Sequence, residues 1–185
     1  YWRYFWYIID HKRRVYKYGR YLGLSRWRLL KHDMTKFLPV EFFAYAHHFH
    51  MPKADDPVVF SQRLRAFERA WEHHWQYNDH HWNYWIRSYE FINGEEAAFY
   101  SPMPFDATLE MLADWAAMSS KFSNTVDEWF FQQIEDDNIS LHAETLDFII
   151  RFLNTETRYP FVEPANAGTG SDNGIRLGVS HLFLS

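Results

Sequence analysis

Apolar and aromatic residues return every three or four positions along most of the first 154 residues, and a period of about 3.6 commits a chain to packed helices rather than sheets. Ile8, Val15 and Leu22, with tyrosines between them, predict a first helix that Gly23 stops. Ser25 caps a short second helix through Leu30 to Asp33, and Pro39 fits the first turn of a third that ends at the Met51-Pro52 break. Asp55-Asp56-Pro57 opens what reads as the longest helix, about residues 58–85, with Leu64, Phe67, Trp71, Trp75 and Trp82 in register, and Asn93-Gly94 ends that region. Beyond a loop holding Pro102 and Pro104, Leu109, Leu112, Trp115 and Ala116 predict another helix, and two more follow near residues 127–134 and 143–153. No strand pattern of comparable strength precedes residue 155, so the expected class is all-α. Residues 1–154 form the expected helical domain. Residues 155–185 carry Pro160, Pro164, Gly168, Gly170, Asn173 and Gly174 and read as a mostly irregular tail or arm, whose last segment, 175–184, alternates weakly and can add as a strand or dock on a partner. There is no internal repeat.

A chain of 185 residues suits one domain with a sizeable core, but 21% of it is aromatic, and Trp and Tyr need partners for their polar tips when buried. Nineteen basic against 24 acidic residues give a net charge of -5, which argues against a general nucleic-acid coat, although Lys12, Arg13, Arg14, Lys17 and Arg20 form a local basic run. With no Cys, disulfides, thiolate metal sites and a Cys nucleophile are excluded, and any metal must be held by His and carboxylate. The most apolar early segment, residues 4–9, is too short for a membrane span and runs into Asp10-His11-Lys12-Arg13-Arg14. The expectation is a soluble, cytoplasmic protein with no membrane partner; a chain starting at Tyr1 leaves open what precedes it.

Eleven His residues bring the chemistry. His11 lies on the first helix, His32-Asp33 at the end of the second and Asp114 on a later one, so imidazole and carboxylate donors come from separate elements. That is what an ion such as manganese, zinc or iron requires if positions are to stay open for water and substrate. Singly, His11 reads as a partly buried His beside an acid; the four together read as metal ligands. A second dense run, Trp71-Glu72-His73-His74-Trp75-Gln76-Tyr77-Asn78-Asp79-His80-His81-Trp82, places His74, Asn78 and His81 on one helical strip and His73, Tyr77 and His80 on its neighbour. His74 and His81 are the preferred ligands, with Asn78 between them to orient a ligand or substrate, and the other strip stays open. A bland alternative makes these histidines surface residues stacked with Trp75, Trp82 and Trp85. His47, His48 and His50 read as edge or surface residues, His142 and His181 as structural or exposed, and Glu41 and Glu72 as solvated acids or a general acid or base.

The order His11, His32-Asp33 and Asp114 resembles that of the HD-domain superfamily of metal-dependent phosphohydrolases, and Lys36 matches the Lys of its HDxxK form. More narrowly, HDMTKFLPVEFFAY, HHWQYNDHHWNYW and EMLADWAAMS are similar to stretches of a family of uncharacterised bacterial and phage proteins, over roughly residues 11–153. The superfamily resemblance implies an all-helical core, a metal held by His11, His32, Asp33 and Asp114, and a metal-activated water attacking a phosphoester. Asp33 would help position or bridge metals, and Lys36 would offer positive charge to the phosphate. If His74 and His81 join, the site becomes a two-metal centre like those of several HD phosphohydrolases and of the HD-fold diiron oxygenases, which share the order His, His-Asp, His, His, Asp.

The Gly-Tyr-Pro signature of cyclic-dinucleotide enzymes is absent, as are a Gly-rich phosphate loop and a GxSxG elbow. The leading expectation is a hydrolase with one or two divalent transition-metal ions (Mn, Zn or Fe), acting on a small phosphoester such as a nucleotide. A diiron oxygenase comes second. From a different class comes a phage or cellular structural protein that retains the scaffold, virion-associated if of phage origin, self-associating or binding an assembly partner through the tail.

Overall fold

The computed structural model describes residues 1–92, 95–122, 125–135 and 139–154, so the expected tail, His181 and the Asn93-Gly94 stop lie outside the described residues. Seven helices and one small hairpin make up the described chain, an all-α architecture as expected. None of the described helices is long and apolar enough to cross a membrane.

Helix α1, Trp2–Tyr21, buries Tyr4, Ile8, His11, Val15 and Tyr18, in steps of four, three, four and three that form a single stripe. Tyr4 and Ile8 pack with Ala44, Tyr45, Ala46, Phe67 and Ala70, whereas Val15 and Tyr18 belong to a second, larger core built around Leu112, Trp115, Phe130 and Ile149. His11 therefore sits between two apolar clusters, in the middle of a buried stripe. Gly23 takes a φ of 85° and turns the chain back, so that helix α2, Arg26–Lys31, starts at once with the Ser25 hydroxyl accepting from Arg28 N at 3.2 Å.

Helices α1 and α2 approach closely where Gly19 faces Leu29. A Cβ at Gly19 would collide with the Leu29 side chain, which is itself buried. Gly19→Ala is thus expected to lose stability despite gaining about 1 kcal/mol of helix propensity, because moving Leu29 costs roughly 1–3 kcal/mol. Denaturant melts of the variant check this, and an Ala variant as stable as the parent would mean that the two helices part freely.

Helix α3, Pro39–His50, begins with Pro in its first turn, and helix α4, Pro57–Tyr77, is capped by Asp56 Oδ1, which accepts from Val58 N at 2.7 Å and Val59 N at 3.3 Å. The expected helix over residues 58–85 is corrected here: it stops at Tyr77. Asn78 turns extended (φ -127°, ψ 101°), and its amide donates to the His74 carbonyl at 2.7 Å and to Thr35 Oγ1 at 2.8 Å. A side chain that occupies the helix's own acceptor competes with continuation of the helix. A short 3-10 turn, Trp82–Trp85, follows, with Trp85 Nε1 donating to Asp79 O at 2.8 Å.

The expectation of no strand before residue 155 is also corrected. Strands β1, Ile86–Ile92, and β2, Glu95–Tyr100, pair antiparallel with Ile92 opposite Glu95, so the two residues Asn93-Gly94 join them. Asn-Gly between alternating segments is a strong hairpin signal.

Helix α5, Phe105–Phe122, is the central element: residues 107–119 are all buried, and it packs on α1 and α6. Helices α6, Val126–Glu135, and α7, Ala143–Asn154, close the larger core, with Trp115 against Trp129 and Phe130 at ring separations of 5.0 and 5.4 Å.

Candidate metal centre

The local fold around Asp33 sets the site. Helix α2 ends at Lys31, and the ammonium of Lys12, one residue after His11 on α1, donates to the carbonyls of Leu30 (3.2 Å) and His32. A cation on the last carbonyls of a helix is favourable both as a hydrogen-bond donor and against the helix dipole. Asp33 then adopts the left-handed conformation, φ 55° and ψ 23°, a strained choice for a residue other than Gly that Asp tolerates better than most. This turn places His32 and Asp33 side by side, fully enclosed.

The two carboxylate oxygens of Asp33 face two different donor groups. Oδ2 lies 3.4 Å from His11 Nε2 and 3.4 Å from His32 Nε2, and His11 Nε2 is 3.0 Å from Asp114 Oδ1. Oδ1 lies 3.3 Å from His74 Nε2 and 3.5 Å from His80 Nε2. Asp33, His74, His80 and His81 form one buried group with donor atoms within 4.8 Å of one another, and His11, His32 and Asp114 form another. Ligands held about 2.1 Å from one ion are separated from each other by about 3.0–3.4 Å, so these spacings fit ion-binding polyhedra. The Nε2 atoms of His74, His80 and His81 are buried with no hydrogen-bond partner, although buried polar atoms rarely stay unpaired. The donor set is thus able to hold a metal ion.

The opposite edges of the rings are tied down. His32 Nδ1 is 2.9 Å from Glu110 Oε1, and His74 Nδ1 is 2.8 Å from Glu41 Oε2. Glu110 also takes Arg28 Nε at 2.5 Å and comes within 3.6 Å of His80 Nδ1, while Arg28 reaches Asp79 at 2.6 Å. A carboxylate on one ring nitrogen fixes the proton there and aims the other nitrogen's lone pair at the ion. His32, His80 and Glu110 also form a third close group, but Glu110 is engaged by Arg28 and meets both rings at their Nδ1 edges, which gives it an orienting part.

Electrostatics follow from burial. Burial alone would raise the Asp33 pKa, yet the charges of His32, Lys36 and His74 hold it well below the ordinary carboxylate value. Asp114 is likewise brought down to about 2: burial opposes ionisation and the neighbouring His11 outweighs it. Burial works against protonation of His32, but the Asp33 carboxylate and hydrogen bonds to Asp33 and Glu110 push its pKa up to about 10. His80 and His81 are shifted downward by burial first and by neighbouring imidazoles next, so they stay neutral, the form that ligates metals.

Among the residues singled out from sequence, His11, His32, Asp33, His74, His81 and Asp114 all come together, and all are buried. His80, assigned to the competing strip, joins them, because the chain leaves the helix at Asn78 and both His80 and His81 turn inward. His73 does not: its Nδ1 pairs with Glu41 Oε1 at 2.6 Å, at the margin. Lys36 is buried with Nζ 2.8 Å from Asp33 Oδ2. Glu41 orients histidines, also taking Thr35 Oγ1 at 3.1 Å, and Glu72 is exposed. His47 bonds the Tyr1 hydroxyl at 2.7 Å, His48 stacks on Phe67, His50 packs against Tyr4 and Tyr7, and His142 accepts from Glu144 N at the start of α7. Trp71, rather than the later tryptophans, lies over His74 and His81. Sequence reasoning missed Glu110; the available signal was an acid four residues before Asp114 inside an otherwise apolar run.

Fold and site together define an all-helical protein with a buried His, Asp and Glu cluster able to hold metal. The chain belongs to a family of unknown function, DUF5662, whose model matches residues 1–155. No curated protein and no solved structure matches it.

Proposed function

We propose that this protein is a metal-dependent phosphohydrolase of the HD type, holding two divalent transition-metal ions and acting on a small phosphoester. The observation that carries the reading is the Asp33 carboxylate, with one oxygen toward His11 and His32 and the other toward His74 and His80, the disposition of a bridging ligand. The order His11, His32-Asp33, Asp114 and the spacing to Lys36 add the likeness to that superfamily.

Charge supports it. Asp33, Glu41, Glu110 and Asp114 are buried carboxylates, and among the described residues Lys36 and the half-buried Arg28 are the cations paired with them, which leaves two negative charges when the imidazoles are neutral. Divalent ions reverse that balance and make the site attractive to an anion. When bound, such ions lower the pKa of water and neutralise charge on a phosphoryl group. The chain's own part is orientation and charge: Glu110 and Glu41 hold protons at Nδ1 of His32 and His74, and Lys36 keeps an ammonium beside Asp33, in position for a phosphoryl oxygen.

A second reading has a specific observation behind it. Five buried imidazoles, from His11, His32, His74, His80 and His81, suit iron as well as manganese or zinc, which favours an HD-fold diiron oxygenase. Protein reconstituted with manganese, zinc or iron and offered a panel of nucleotides and phosphomonoesters decides between them. Phosphate release that is lost in His32→Ala and reduced on the order of 10²-fold in Lys36→Met with metal retained supports hydrolysis. Oxygen consumption that requires iron, without phosphate release, supports the oxygenase. A protein that takes up no metal would overturn both enzyme readings and favour the scaffold reading.

A further inference from the structure

We propose that the hydroxyls of Tyr4 and Tyr45, together with Lys36, form a blind-ended subsite for a terminal phosphoryl group, so that the protein accepts phosphomonoesters and excludes phosphodiesters. The inference rests on the reading of the site just given and names its substrate class.

Tyr4 lies on α1 two turns before His11, and Tyr45 lies on α3 with its ring 6.1 Å from that of His74. Both are essentially enclosed, at 2% and 1% exposure, and neither hydroxyl has a hydrogen-bond partner. A buried phenol ordinarily finds one, and here two stand side by side, their rings 6.2 Å apart and nearly parallel. Lys36 Nζ is 6.0 Å from the Tyr45 ring centre, and of the charged groups around the two phenols it exerts the strongest field on each. Its ammonium carries three donors, and the anionic oxygen it meets among the described residues is Asp33 Oδ2.

Two hydroxyls and an ammonium with donors to spare call for an acceptor-rich, negatively charged group. The carboxylates nearby are already committed, Asp33 to the histidines and Lys36 and Glu41 to His73 and His74. A tetrahedral phosphoryl group presents several oxygens at once, which a planar carboxylate does not. Closure then selects within the phosphoesters. Tyr4, Tyr45, Lys36 and Asp33 are all within 3% of full burial, so a group seated among them is walled in on their side, and in this proposal its substituent leaves away from them. A monoester leaves through its single substituent; a diester needs a second exit through these walls.

Calorimetric titration of the ion-free and the manganese-loaded protein with inorganic phosphate, methyl phosphate, dimethyl phosphate and acetate tests this, in parallel with Tyr4→Phe, Tyr45→Phe and the double variant. Inorganic and methyl phosphate should bind, each Phe variant should weaken them about tenfold and the double variant about 100-fold, as expected for hydrogen bonds to a charged group. Manganese stoichiometry should not change, and dimethyl phosphate should bind at least about tenfold more weakly than methyl phosphate. Removing an orphan hydroxyl leaves the shape of the core intact, so melting temperatures of the variants should match or exceed the parent's. Phosphate affinity untouched in both Phe variants, dimethyl phosphate bound as well as methyl phosphate, acetate preferred, or no phosphate binding in either form would each overturn the proposal. Phosphate binding that falls in the Phe variants of a protein taking up no manganese would leave the subsite standing and sink the metal reading. Metal loading and phosphate release with Phe variants unaffected would do the reverse.

Discussion

Asp33→Asn is expected to lose both ions of the proposed pair together. The amide keeps the size of the carboxylate but carries no charge and offers one acceptor oxygen where Asp33 directs two, one toward His11 and His32 and the other toward His74 and His80. Loss of an outer partner alone typically costs 10–100-fold in metal affinity, so removing the shared ligand should cost on the order of 10³-fold. The ion-free protein should also be weakened. Lys36, buried and 2.8 Å from Asp33 Oδ2, loses its counter-charge, and breaking a buried pair from one side costs roughly 3–5 kcal/mol. Asp33→Glu separates the effects: it retains the charge that balances Lys36 while displacing the oxygens, so it should lose less stability than the Asn variant, the extra methylene in an enclosed left-handed position costing roughly 1–3 kcal/mol, and still bind metal poorly. Metal analysis after gel filtration with melting curves of the three proteins checks this; an Asn variant that keeps either ion at parental affinity would show that Asp33 is not shared.

Metal affinity and ion-free stability are expected to move in opposite directions as pH rises. In the ion-free protein the His32 pKa is raised from 6.5 to about 10, mainly through Asp33 and Glu110 against the penalty of burial. A raised value means that the proton's stabilising contribution is fully present below the unfolded pKa and is lost as pH climbs through the folded one, here between about 6.5 and 10. Asp114 behaves oppositely: lowered from 3.8 to about 2, its contribution is present above 3.8 and disappears as pH falls toward 2. An ion ligated by His32 must displace that proton, so affinity should rise about tenfold per pH unit from this group alone, roughly 100-fold between pH 6 and pH 8. Competition titrations with a chelator of known pH dependence, paired with ion-free denaturation at each pH, read both trends. Affinity independent of pH across that window would mean that metal binding displaces no proton from His32.

How far the sequence reaches depends on whether a residue's role lies in local periodicity or in a change of it. His11 sits on a stripe with Ile8 and Val15, and His32-Asp33 follows a helix that Ser25 starts, so their placement was legible. Helical spacing also put His74 in line with Asn78, as the fold has it. The same spacing then separated His80 from His81, which failed because Asn78 spends its amide on His74 O and Thr35 Oγ1 and ends the helix there. Thr35 lies 43 residues away in the chain, and a contact of that range leaves no trace in a 3.6-residue pattern. The hairpin was legible in principle, since Asn93-Gly94 stands between runs rich in Tyr, Phe and Ile, but the same dipeptide also reads as a plain stop after a helical region. Glu110 gave only the faint sign of an acid in an apolar run, and the orphan hydroxyls of Tyr4 and Tyr45 exist only once the helices are packed.

The central claim is that Asp33 joins two ion sites in one buried cluster. Its most direct test is metal analysis of the manganese-reconstituted protein combined with electron paramagnetic resonance of the same sample. About two ions per chain and the exchange-coupled spectrum of a carboxylate-bridged pair are expected. One isolated manganese signal at a single ion per chain, or no retained manganese, would contradict it.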